Sequence, residues 1–260
     1  MIYYVLLVYG DKYYENAINK LKDISKKIGD RSFNLIVVNN DSTVYIPNSI
    51  TGDNSAYEFS GWDSAVKDLK YRINEGDYFI FANDTFCHHR KWKWYQKFKF
   101  SYAFNDFFKN KFNGICGDVN SFGKDFNLSG VVTQSWVSSY LFMINSSLIL
   151  HESFKFDSIE DNISKYVENI SDESGIEFVD NFDDELGKHL NNWLYPRDND
   201  GWYNAKNCSS KDKLKKLKSI INEKLLSINV LKLGGNICDV NSLKIFRIIG
   251  IIKKILFKVV

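Results

Sequence analysis

Two apolar runs close on polar tracts whose residue types suit phosphates and sugars. FNLIVVNND ends in Asn39, Asn40 and Asp41, and FIFANDTF ends in Asn83, Asp84 and Thr85, while the first run stops at Tyr9 and Gly10. In open α/β sheets, ligand chemistry gathers at such carboxyl ends of strands. A carboxylate there can hold a divalent cation, manganese or magnesium, that neutralises a departing diphosphate, and Asp84 is placed for that metal role with Asn83 and Thr85 assisting. The second carboxylate of a DxD motif is missing, so metal affinity is expected to be modest or to depend on substrate phosphates. Asn39, Asn40 and Asp41 offer the amide and carboxylate groups that match a base and ribose. Tyr9 could stack on the base, though a strand-end Tyr more often packs. Asn, Asp and Thr are also turn formers, and that plainer role explains these tracts nearly as well.

Further groups extend the constellation. Glu58 precedes a helix start, where the helix dipole favours its charge. His88, His89, Arg90, Lys91 and Lys93 form a basic cluster that could stabilise diphosphate charge without metal. The adjacent histidines lack the i, i+4 spacing of a helical zinc pair, and a solvated charge run is the bland alternative. Ser135 and Trp136, with Tyr140 and Phe142 beyond them, offer the aromatic and hydroxyl mixture that sugar rings accept, although core packing explains Phe142 better. Asp118 ends another apolar run and is a candidate for the same cleft. The tract EFVDNFDDELGKHL supplies Asp180, Asp183, Asp184, Glu185 and His189, from which Asp184 or Glu185 is the expected general base for an attacking hydroxyl. Acidic residues in a first helical turn are favoured by the dipole alone.

The elements that must position these groups alternate between strand and helix. Tyr3 to Tyr9, Phe33 to Val38 and Asp77 to Ala82 read as buried strands. Asp11 to Ile28 carries Ala17, Ile18, Leu21 and Ile24 at helical spacing, and Ser60 is the expected cap of a helix facing inward through Ala65, Val66, Leu69 and Ile73. Trp92 to Phe108 predicts a helix or helix pair, Phe112 to Val119 a fourth strand, and Gly130 to Leu150 a loop or helix entering a further strand. Such alternation implies an α/β fold with a mostly parallel sheet. Ser209 and Ser210 cap a later helix carrying Leu214, Leu217, Ile221 and Leu225, which breaks at Gly234 and Gly235. A last helix, 242 to 260, puts Lys244, Arg247, Lys254 and Lys258 on one face.

With 260 residues, 44% of them hydrophobic, the chain can bury a sizeable core. A net charge of +2 gives no field for nucleic acid, so none is expected as a partner. Cys87, Cys116, Cys208 and Cys238 are spaced as neither a metal pair nor a disulfide framework, which suits a reduced, cytoplasmic setting. The N-terminal run reads as a strand rather than a leader, and no window reaches the roughly 18 to 20 apolar residues of a spanning helix. The basic last helix instead suits an anionic membrane surface, or packing on the main domain or a second subunit in a homo-oligomer.

Asn54 followed by Tyr57, Glu58, Phe59 and Trp62, then FIFANDTF, then GVVTQSWVSSYLFMINSSLI, resembles the bacterial polysaccharide glycosyltransferases related to the rhamnan-synthesis F family. The likeness covers residues 1 to about 195 in order. It departs at Glu58, where an Asp is more usual, and at His88 and His89, where Gly-Pro is common. The resemblance implies a GT-A, Rossmann-like nucleotide-diphospho-sugar transferase fold over 1–205, with 206–260 as a helical appendage. It also implies transfer of a sugar from a nucleotide-sugar donor to a cell-surface glycan or lipid-linked acceptor, by an enzyme peripheral on the inner face of the cell membrane. Donor contacts would fall on Tyr9, Asn39, Asp41, Asn54, Glu58, Asn83, Asp84, Thr85, His88, Ser135 and Trp136. A noncatalytic nucleotide or carbohydrate-binding module and a sugar nucleotidyltransferase are the alternatives.

Overall fold

The computed structural model describes residues 1–88, 92–159, 162–172, 174–196, 201–202 and 204–242. His89, Arg90 and Lys91 of the basic cluster and the last helix expected over 242–260, apart from its first residue, lie outside them. In chain order the elements are β1 (Ile2–Val8), α1 (Tyr14–Ile28), β2 (Asn34–Asn39), β3 (Ile50–Thr51), α2 (Glu58–Leu69), β4 (Tyr78–Asn83), α3 (Trp94–Lys109), β5 (Gly114–Leu128), β6 (Val131–Asn145), α4 (Ser146–Ile149), β7 (Val167–Ser171), β8 (Gly175–Phe178), α5 (Asp184–Leu194), α6 (Ser210–Lys232) and β9 (Asn236–Asp239).

The main sheet has the order β3-β2-β1-β4-β6-β5-β9, and β7 and β8 form a separate small hairpin. Strands β1, β2, β3 and β4 are parallel, β6 runs back between β4 and β5, and β9 is parallel to β5. This is the α/β, mostly parallel, Rossmann-like sheet expected, with one reversed strand. β1 is buried along its whole length because both faces are covered. Tyr4, Leu6 and Val8 pack with Ala17, Leu21 and Ile24 of α1 and with Phe100 and Phe104 of α3. Tyr3, Val5 and Leu7 pack with Phe59, Trp62 and Ala65 of α2 and with Leu226 and Val230 of α6. Because β2 and β4 flank β1 on opposite sides, the strand order reverses at the carboxyl ends of β1 and β4, the place where open α/β sheets commonly receive ligands.

Several expectations change. The run from Gly130 is a strand from its start: β5 and β6 form a long hairpin whose two-residue turn, Ser129 (φ 53°) and Gly130 (φ 82°), has the two positive φ angles of a type I′ connection. α2 begins at Glu58 rather than after Ser60, whose hydroxyl instead accepts the Ala56 amide. The aromatic run after Lys93 is one helix, α3.

α6 is capped as expected: Ser209 and Asp212 complete a reciprocal capping box. It lies against the sheet, not apart from it. Leu217, Ile221, Leu225 and Ile228 form a third core with Leu186, Leu190 and Leu194 of α5 and with Phe126, Leu128 and Trp136 of the hairpin. Beyond it, β9 extends the sheet edge, and Gly114 permits the approach, since a Cβ there would stand 2.0 Å from the Asn236 carbonyl oxygen. No helix among the described residues is long and apolar enough to cross a membrane.

Candidate functional site

The register of β4 against β6 creates the site. Pairing ends at Ala82 opposite Leu141, so β6 residues nearer its start lose their β4 neighbour. Side chains of α6 take over their backbone donors: Ser227 Oγ accepts the Val137 amide at 2.9 Å and Glu223 Oε2 accepts the Ser139 amide at 2.9 Å. The space left beside them is a cavity of about 450 Å³ among β5, β6, α5 and α6, with Trp136, Ser139, His189, Lys216, Glu223 and Lys224 in its lining.

At its base Ser139 Oγ lies 2.8 Å from Glu223 Oε2 and 2.9 Å from Glu58 Oε1. One hydroxyl has one proton to donate, so two ionised carboxylates would leave one oxygen facing a lone pair. The arrangement is satisfied when one carboxyl carries a proton. Glu223 also accepts the Trp136 indole N–H at 2.9 Å and the Ser139 amide, so both its oxygens already meet N–H donors. Burial pushes the Glu58 carboxyl up, against the opposing pull of Lys216. The proton therefore belongs on Glu58, leaving Glu223 as the carboxylate that faces the cavity.

The carboxyl ends of β1 and β4 adjoin this array. Asp84 is fully buried, its Oδ2 accepts the Tyr9 amide at 3.0 Å, and its Oδ1 has no hydrogen-bond partner. It thus clasps the end of β4 to the end of β1. Burial raises its carboxyl to about 6, with the Tyr9, Asp84 and Thr85 amides pulling the other way. Among the described residues no group of three or more His, Cys, Asp or Glu is arranged to hold a metal, and Asp84 is fully buried with Oδ2 engaged by the Tyr9 amide, a donor set that does not suit a divalent cation.

A group whose folded value lies above its ordinary 3.8 stabilises the fold below that value and loses the contribution as pH rises through the folded value. Wild type should therefore gain stability over Asp84→Asn as pH falls from about 6 to about 4 in urea titrations. Asp84→Ala, which strands the Tyr9 amide, should lose about 1–3 kcal/mol. A pH-independent difference between wild type and Asp84→Asn would contradict the clasp.

The other expected contacts divide. Tyr9 is half-buried at the end of β1, its hydroxyl accepts from Asn40 Nδ2 at 3.3 Å, and burial raises its phenol, with Glu58 and Asp84 adding to the effect. Asn40 is packed in a cradle of Gly52 and Gly61, and its Oδ1 has no partner. Asn54 and Tyr57 hold positive φ angles of 52° and 54°, and the Tyr57 carbonyl accepts from Asn40. Such backbone strain in non-glycine residues, strongest for Tyr57, collects at functional segments.

Asn39 braces the following loop through Val44 and the Asp41 amide, while Asp41 accepts both donors of Thr43. Asn83 accepts from Thr85, and His88 is exposed and stacked on Tyr13. Ser135 bonds with Thr133 through its backbone. Trp136 is buried at 6% exposure and belongs to the cavity.

The late acidic tract sits elsewhere. Asp183 caps α5 and also accepts the Asn127 amide. Asp184 is exposed, and Glu185 pairs with Lys124 and Lys188, which hold its carboxyl below the usual range. Neither is among the residues lining the cavity. Asp118 accepts from Tyr140 and Asn241, in a cluster with Lys99.

Sequence reasoning missed Ser139, Glu223, Lys216 and Lys224. The readable signal was Asn222, Glu223, Lys224 and Ser227 interrupting the apolar run of α6, since polar residues inside a buried helix segment ask for partners. No protein-family model matches the sequence, and no curated protein shows significant similarity to it.

Proposed function

We propose that the protein is a glycosyltransferase of GT-A type that moves a sugar from a nucleotide-diphosphate donor to a cell-surface glycan or lipid-linked acceptor. The Glu58–Ser139–Glu223 array opening on an aromatic-lined cavity carries this reading. The strand-order reversal beside it supports a donor at the strand ends near Tyr9 and the strained 54–57 segment. The acceptor hydroxyl gives its proton to Glu223 as its oxygen bonds the anomeric carbon, and the bond to the nucleoside diphosphate breaks. Glu223 replaces Asp184 and Glu185 as the proposed base because it faces the cavity and they do not. Residues 243–260, with their basic stripe, are proposed to hold the enzyme on the anionic cytoplasmic face of the membrane.

The burial of Asp84 favours a second reading, a noncatalytic nucleotide or carbohydrate-binding module of the same fold. Incubation of the full chain with sugar nucleotides and glycan acceptors, with and without manganese or magnesium, separates the two. Transfer with release of a nucleoside diphosphate is expected. Binding without turnover would favour the module, and release of pyrophosphate would point to a nucleotidyltransferase.

A further inference from the structure

Lys224 is 1% exposed, yet it lines the cavity, and its Nζ makes no hydrogen bond or ion pair with the described residues. It lies over the face of Trp136, with Nζ 3.8 Å from the ring centroid. A desolvated ammonium with its three donors unmet is costly, and a fold retains one where a ligand completes it. Lys216 brings a second ammonium to the same lining, also without a hydrogen bond or ion pair among these residues, and it contacts the rings of Tyr57 and Trp193.

Glu223 supplies one negative charge against these two positive ones, and the protonated Glu58 supplies none. His189, stacked on Phe122, adds no charge: burial and then the Lys224 charge lower its imidazole to about 4. β5 and β6 contribute only uncharged polar groups, Asn120, Ser121 and Ser139. The walls are aromatic, the surface that the CH face of a sugar ring accepts. The cavity thus combines aromatic walls, hydroxyl partners and one excess positive charge.

We infer that this cavity binds an acidic sugar, a hydroxylated ring carrying one carboxylate or phosphate that Lys224 and Lys216 receive. The inference rests on the transferase reading only in making that sugar the acceptor end. The binding site itself stands on the buried ammonium. Burial also lowers Lys224 to about 8, with Glu223 opposing, so its charge is lost and the anion is held less tightly as pH rises through about 8.

The test is titration of the full chain, followed by tryptophan fluorescence and calorimetry, with glucuronate, glucose 1-phosphate, glucose and inorganic phosphate. At least one anionic sugar should bind about tenfold or more tightly than glucose, and which of the two does so identifies the acidic group. Lys224→Met should erase that preference while raising the melting temperature of the ligand-free protein, since it removes an unpaired buried charge. Glucose binding as well as both anions, inorganic phosphate binding as well as glucose 1-phosphate, or an unchanged preference in Lys224→Met would overturn the inference. Acidic sugars binding without turnover of any sugar nucleotide would sink the transferase reading alone. Transfer to a neutral acceptor by a fully active Lys224→Met variant would sink this inference alone.

Discussion

Glu223→Gln is expected to lower the transfer rate about 10²–10⁴-fold, the range spanned by loss of a positioned general base. Its oxygens lie 2.8 Å from Ser139 Oγ and 2.9 Å from the Trp136 indole nitrogen. Gln can accept at only one of these positions, so either the Trp136 indole N–H or the Ser139 backbone N–H faces its NH2 group, and a modest loss of stability should accompany the loss of rate. Glu58→Gln is the informative partner. It presents an N–H donor to Ser139 where the pair holds its proton, so most of the rate should remain. Equal losses from both variants would contradict the assignment of the proton to Glu58. Nucleoside diphosphate release under saturating donor measures both, with circular dichroism reporting the fold.

Trp62→Ala is expected to remove about 3–5 kcal/mol of stability, the largest single loss foreseen for a side chain in this core. Trp62 is fully buried on α2 and meets Phe59, Phe81, Phe142 and Phe156 edge-on or tilted, with centroids 5.2–5.6 Å away. Alanine would leave a void bounded by rigid rings from three elements and a loop, which cannot close over it. Trp62→Phe should lose much less. The indole N–H has no hydrogen-bond partner, so phenylalanine also relieves an unmet buried donor. Urea unfolding of the two variants checks this, and a small loss in Trp62→Ala would mean that α2 is not anchored there. Because α2 begins at Glu58, loosening that anchor should also disturb the carboxyl pair.

Local signals carried the centre of the fold. β1, β2 and β4 were readable as continuous apolar runs because a strand covered on both faces shows no alternation. α1 was readable from Ala17, Leu21 and Ile24 on one face, and the structure closes it at Gly29 with φ 84°. The β5–β6 hairpin was harder. Its outer half alternates buried and exposed residues and is broken by register shifts near Gly117 and Ser121, so GDVNSFG resembles a turn when read alone. β9 has four residues, none of them buried, and is a strand only because β5 offers it an edge.

Tyr9 and Asn40 were visible as strand-end polar residues and Glu58 as a helix-start carboxylate, and the three lie close together. The cavity was not visible, because its chemistry joins residues 58, 139 and 223 through pairing and packing that no local window contains. Asp84 shows the converse hazard. A carboxylate at a strand end has the composition of a ligand and, once the amide of Tyr9 is placed beside it, the geometry of a clasp.

The proposed function requires that the folded chain receive a sugar nucleotide at the end of its parallel strands. A thermal-shift screen of the full chain against UDP, GDP, dTDP and CMP sugars, each with and without manganese or magnesium, tests it most directly. A ligand that binds only the native state must raise the melting temperature, by an amount that grows with its concentration. Such a rise is expected with one nucleotide class, diminished in a Tyr9→Ala variant that keeps its fold. A melting temperature unmoved by every sugar nucleotide would contradict it.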